Sequence, residues 1–166
     1  MIKNNFKNNI IYILIFILIF AADRLSKLYI LNLAEMNDSL NLYVTSFLNF
    51  YLIWNKGIAF GLFSFDQNFF YNFITSLIIA ITVIILIIAI KSKDYKGYFF
   101  ISIFSGSVGN LYDRFYYSAV PDFIDFHLND FHWFIFNVAD IFISLGVICL
   151  IFVEIFFKKE TNEKTK

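Results

Sequence analysis

FFYNFITSLIIAITVIILIIAI, Phe69 to Ile90, carries no charge along its whole length. A helix needs about 20 mostly apolar residues to cross a bilayer, and this stretch meets that length without interruption. Three further segments resemble it. Ile10 to Ile30 is broken near its end by Asp23, Arg24 and Lys27. Gly97 to Tyr117 ends in Asp113 and Arg114, and Trp133 to Phe157 holds Asp140 inside and Glu154 near its far end. Open sheets leave backbone groups unpaired in lipid, so these segments are read as helices. The expectation is an all-α membrane protein with four transmembrane helices, at about 10–30, 69–90, 97–117 and 133–157.

Composition agrees. The chain has 166 residues, 60% hydrophobic, 22% aromatic and 16% charged, with mean hydropathy +0.70. Soluble domains run near 45–50% apolar and about 25% charged. One proline and six glycines leave little for linkers, so residues 1–157 read as a single integral-membrane domain and 158–166 as a polar cytoplasmic tail. A net charge of zero gives no pointer to nucleic acid. The lone Cys149 makes neither a disulfide nor a CxxC motif. Lys3 and Lys7 precede the first apolar run as in a signal peptide, but Phe20 stands at −3 before Ala21-Ala22, where cleavage wants a small residue; the segment is read as retained.

Basic residues set the orientation. With four alternating helices, Lys3, Lys7, Lys91, Lys93, Lys96, Lys158, Lys159, Lys164 and Lys166 fall on one side, nine of the thirteen Lys and Arg residues. That side is cytoplasmic by the positive-inside rule, and both termini lie there. Residues 31–68 and 118–132 then face outward. The alternating, aromatic-rich Phe47 to Trp54 predicts short strands, hence a small outer β-sheet on the periplasmic side.

Ionisable groups inside membrane segments are costly and point to function. Here they gather toward the outer helix ends. Asp23 and Lys27 stand at i and i+4 and are placed to pair. Asn110, Asp113 and Arg114 share one helix face, with Asp113 read as orienting Arg114; Asn137 and Asp140 share another. Asp140 lies seven residues past Trp133, roughly 10 Å below that interfacial ring at about 1.5 Å per residue. Structural pairing accounts for Asp23 with Lys27 and for Asp113 with Arg114 as well as chemistry does. Asp140 has no basic partner on its helix, and the nearest charged candidate is Asp122 on the outer loop. Two adjacent carboxylates share a proton, which supplies an acid and a base at one pH.

Other chemistries fit less well. His127 and His132 flank Asn129 and Asp130 on a loop without third and fourth metal ligands, so no metal site is expected. Ser26 faces away from Lys27, Cys149 has no activating neighbour, and Glu154 is expected to reach Lys158. A small proton- or ion-coupled transporter is the alternative from another class, but the polar residues stop halfway through the membrane. A purely structural scaffold would leave the clustered carboxylates without purpose. Gly106, Ser107 and Gly109 would let another helix approach the third one closely.

Five blocks, in order from about residue 20 to 150, resemble the lipoprotein signal peptidases (signal peptidase II). Asp23-Arg24-Leu25-Ser26-Lys27 resembles D-Q-x-[ST]-K. Asn55-Lys56-Gly57-Ile58-Ala59-Phe60-Gly61 resembles N-x-G-A-A-F-[GS]. Gly109-Asn110-Leu111-Tyr112-Asp113-Arg114 resembles G-N-x-x-D-R, Val120-Pro121-Asp122-Phe123 resembles V-V-D-F, and Phe136-Asn137-Val138-Ala139-Asp140 resembles F-N-x-A-D. The resemblance implies four helices with a small outer sheet, and a catalytic pair at Asp122 and Asp140. It makes Asn55, Asn110, Arg114 and Asn137 polar residues of the substrate site, Asp23 and Lys27 further positions near it, and Asp113 and Gly57 structural supports. It also implies no metal or other cofactor, and a substrate prolipoprotein whose cysteine carries diacylglycerol, met in the bacterial inner membrane by a monomer. Arg24, Ile58 and Pro121 depart from the pattern, where the family carries glutamine, alanine and valine.

Overall fold

The computed structural model describes residues 2–37, 41–57, 67–128 and 131–163. Four helices and four strands follow in the order α1 (Ile2–Met36), β1 (Asn41–Thr45), β2 (Leu48–Asn55), α2 (Gln67–Lys91), α3 (Lys96–Tyr117), β3 (Val120–Leu128), β4 (Phe131–Phe136) and α4 (Val138–Glu163). Among the described residues, three helices are long and apolar enough to cross a membrane: Asn9–Met36, Asn68–Lys91 and Val138–Phe156. The third segment expected from sequence, α3, is not among them. Its glycines, serines and the pair Asp113-Arg114 dilute its hydropathy, because α3 is the helix against which α1, α2 and α4 all pack. Asp113 and Arg114 are buried in protein instead.

The helix bundle holds together through small clusters. Tyr12, Ala89 and Ile101 join α1, α2 and α3 near one end. Ile30 and Phe123, with Leu33, Ala34, Phe50, Leu52 and Val138, bind α1 to the sheet at the other. Large apolar side chains such as Leu18, Phe73, Ile84 and Ile148 stay exposed along the helices. In water that would be a liability; for a lipid solvent it is the expected outer surface.

The sheet is an antiparallel meander in the order β1-β2-β3-β4. Ile53 pairs with Asp122 and Asn55 with Val120, so the end of β2 lies beside the start of β3. Pairing of β3 with β4 begins only at Ile124, so Pro121, opposite Trp54 of β2, has a partner strand on one side only, an edge position that tolerates proline.

Four expectations are corrected here. Residues 118–132 are mostly strand, so Asp122 is carried by β3 and not by a loop, while Asn129 and Asp130 lie outside the described residues. The last helix begins at Val138; the apolar run before it is β4, paired to β3, since a short aromatic run suits a strand as well as a helix. His127 is accordingly not on a wet loop but buried on β3, opposite His132 in register. At the far end α4 runs on to Glu163, through most of what reads as a polar tail. Glu154 meets Lys96 across helices at 3.0 Å; the side chain of Lys158, its expected partner, lies outside the described residues.

Candidate active site

The start of α4 organises the site. Asn137 is the residue before the helix, and its Oδ1 accepts from the amide of Asp140 at 3.1 Å. The Asn137 amide in turn donates to Asp140 Oδ2, also at 3.1 Å. This is a capping box, which satisfies N–H groups that a helix start otherwise leaves orphaned. Asp140 therefore lies in the first turn of α4, and not two turns deep as a helix from Trp133 would place it. The positive end of the helix dipole favours a carboxylate there.

The same Asn137 side chain reaches β3. Its Nδ2 donates to Asp122 Oδ1 at 2.5 Å, and Asn55 Nδ2 donates to Asp122 Oδ2 at 2.9 Å. Asn55 is itself fixed, because the Gly57 amide donates to its Oδ1 at 2.7 Å. Gly57 has φ of +76°, a conformation that costs glycine little. A Cβ there would stand 2.9 Å from the Arg114 guanidinium. Ile58, Ala59, Phe60 and Gly61 of the same motif lie outside the described residues.

On its other oxygen Asp140 accepts from Asn110 Nδ2 at 2.8 Å, and Asn110 Oδ1 accepts from Lys27 Nζ at 2.9 Å. Lys27 is almost fully buried and pairs with Asp23 Oδ1 at 2.8 Å and Asp113 Oδ2 at 2.7 Å. Asp23 Oδ1 also accepts from the Ala139 amide at 3.1 Å, so α1 holds the first turn of α4 directly. Gly109 makes room for this: a Cβ there would approach Asp23 Oδ2 to 2.6 Å. The expected Asp23–Lys27 pair thus exists. The expected orienting of Arg114 by Asp113 does not, because Asp113 bonds to Arg24 and Lys27.

Asn55, Asn110, Arg114, Asp122, Asn137 and Asp140 open into one cavity of about 240 Å³, with Ile78, Ser107, Val120 and Ile143 as further lining. Both carboxylates are mostly buried yet face this shared space. Burial, with a smaller push from the negative charge of Asp140, raises the carboxyl of Asp122 to about 6. The Asn55 and Asn137 hydrogen bonds and the Lys27 charge pull the other way. Arg114 stacks over Tyr71 at 5.7 Å, and the Tyr71 hydroxyl donates to the Arg114 carbonyl at 2.8 Å. Among the described residues its buried Nη1 has no hydrogen-bond partner. A buried cationic donor left open on a cavity is suited to receive a carbonyl oxygen.

Sequence reading missed three participants. Arg24 stood out only as a departure, yet it joins the Asp23–Asp113 ion cluster. Tyr71 sits in the apolar stretch where no polar role was sought. The capping box was legible as Asn137-x-x-Asp140, but the assumed helix start at Trp133 hid it.

A profile of the signal peptidase (SPase) II family matches residues 15–157. The lipoprotein signal peptidase of Pelagibacter ubique (strain HTCC1062) is 55% identical over 163 residues, 98% of each chain. That of Francisella tularensis subsp. mediasiatica is 40% identical over 154 residues, covering 90% of this chain and 94% of its own. Among solved structures, a bacterial membrane enzyme determined at 2.3 Å superposes with TM-score 0.67 and 27% identity, over 93% of this chain and 92% of its own. The chain belongs to the signal peptidase II family.

Proposed function

We propose that this chain is an aspartyl endopeptidase that removes signal peptides from diacylglyceryl-modified prolipoproteins, cutting before the lipidated cysteine. Family membership carries the peptidase activity and the prolipoprotein substrate. The aspartyl mechanism rests on one observation: Asp122 on β3 and Asp140 on α4, bridged by the Asn137 carboxamide, face a single cavity. A pair sharing one proton can activate water against the peptide carbonyl through the ionised member and protonate the leaving amine through the other. Arg114 Nη1 is available to the carbonyl oxygen as charge develops on it.

Four helices cross the inner membrane in this reading, α3 as the shielded central one. Both termini are cytoplasmic, since Lys91, Lys93 and Lys96 lie at the helix ends away from the sheet. The sheet and cavity then face the periplasm, at the depth where a lipidated cysteine meets the headgroups. Residues 1–157 act as one peptidase unit and as a monomer. The transporter alternative gains no support: the cavity between α1, α2 and α3 toward the other end is lined by Tyr12, Phe16, Leu86, Ile101 and other largely apolar groups.

The test is direct. Detergent-solubilised protein incubated with a diacylglyceryl prolipoprotein should produce the mobility shift of signal-peptide loss on a gel. An unmodified prolipoprotein cut equally well would remove the lipid from the recognition.

A further inference from the structure

Between α1 and α3, buried Lys27 and partly buried Arg24 meet two buried carboxylates. Arg24 and Lys27 face Asp23 and Asp113, and their charges sum to zero. Asp23 and Asp113 are fully buried, so a carboxylate deprived of its cation there is strongly disfavoured.

The donors are fully used. An ammonium has three N–H groups, and those of Lys27 go to Asp23, Asp113 and Asn110 Oδ1. The third bond matters most for the site: with its carbonyl held by Lys27, Asn110 must turn its Nδ2 toward Asp140. Arg24 takes the remaining charge. Nη1 and Nη2 grip the two oxygens of Asp113 at 2.5 and 2.8 Å, and Nη2 also meets Asp23 at 2.7 Å. The planar guanidinium fork suits this double hold. The Tyr112 ring lies 4.8 Å from it and fixes its plane. In this chain, Arg24→Gln would leave Lys27 as the one cation facing both buried carboxylates, which would draw it between them and off Asn110.

We propose that Arg24 is a positioning residue for the reacting pair: it neutralises Asp113 and shares Asp23, which leaves the third donor of Lys27 on Asn110 and thereby fixes Asp140. This rests on the proposed role of Asp140. Arg24 does not line the cavity, so its effect passes through Asp113, Lys27 and Asn110.

The test is a double-mutant cycle on the full chain in detergent, with diacylglyceryl prolipoprotein as substrate and kcat expressed per folded molecule. Arg24→Gln should lower kcat about tenfold with KM within about twofold, the pattern of a group that acts on the reacting geometry and not on substrate. Arg24→Lys, which keeps the charge without the fork, should recover part of the loss. Asp113→Asn should cost a similar factor. The double variant Arg24→Gln/Asp113→Asn removes one charge of each sign, and should be no worse than Arg24→Gln alone. Independent sites would instead multiply to roughly a hundredfold loss. Wild-type kcat in Arg24→Gln, or a multiplicative double variant, would overturn the proposal. The melting temperatures of the same four proteins form a second cycle that needs no turnover. If the wild-type chain fails to cleave, the proposed reaction falls and this role with it, while the melting cycle still shows whether Arg24 and Asp113 are coupled.

Discussion

Asn137 and Asp140 cap one another at the start of α4, and Asn137 alone extends from that cap to Asp122. One carboxamide therefore sets both where the helix begins and how far the β3 carboxylate stands from the helical one. Sliding α4 relative to the sheet would break the Asn137–Asp122 bond, so the spacing of the pair is tied to the secondary structure itself.

This arrangement separates stability from activity at the pair. Asp122→Asn and Asp140→Asn should each lower cleavage by at least a thousandfold, since a dyad sharing one proton can spare neither member. Each substitution also turns an acceptor into a donor facing an amide, a cost of about 1–3 kcal/mol that leaves the chain folded and inserted. Appreciable turnover by either variant at normal expression would remove that residue from the pair.

Asn137 tests the double role. Asn137→Ser keeps an oxygen that can cap α4 but provides no amide for Asp122. Its melting temperature should stay near wild type, while kcat falls about tenfold or more. Asn137→Ala should lose about 1 kcal/mol in addition, the usual worth of a helix cap. Equal melting temperatures for serine and alanine would show that the cap contributes little here.

The pH dependence follows from Asp122. Its carboxyl is raised to about 6, chiefly by burial and less by the charge of Asp140. Taken as the acid of the proposed pair, Asp122 holds its proton below about pH 6 and loses it above. The alkaline limb of kcat/KM should therefore fall near pH 6. Asn55 donates to the ionised form and lowers the value. Asn55→Ala should thus move the alkaline limb upward; a downward move would contradict the assigned sign.

Chelators should leave activity unchanged, because among the described residues no three His, Cys, Asp or Glu side chains converge on one point. Thiol and serine reagents should fail as well: Cys149 lies within α4, away from the cavity residues, and the Ser26 hydroxyl donates to the Asp23 carbonyl. Activity lost in EDTA and restored by zinc would bring His127 and His132 back as ligands.

What the sequence determined by itself was whatever repeats within one helix or one motif. The uncharged run from Phe69 to Ile90 specified a membrane helix by length alone, and Asp23 with Lys27, one turn apart, specified an ion pair that the fold contains. The blocks holding Asp122 and Asp140 were recognisable from residue type and order. Contacts between distant segments were not legible. Asp113 is adjacent to Arg114 in sequence but bonds across a helix interface to Arg24 and Lys27, 89 and 86 residues away. Side-chain direction on α3 decides that choice, and it depends on which helices flank α3. Trp133 to Phe136 is apolar enough for helix or strand, and only pairing with β3 made it a strand and moved the helix start to Val138. That shift of a few residues puts Asp140 in a capping box, where its oxygens are held by main chain and by Asn110, because backbone groups at a helix end must find partners from outside the helix.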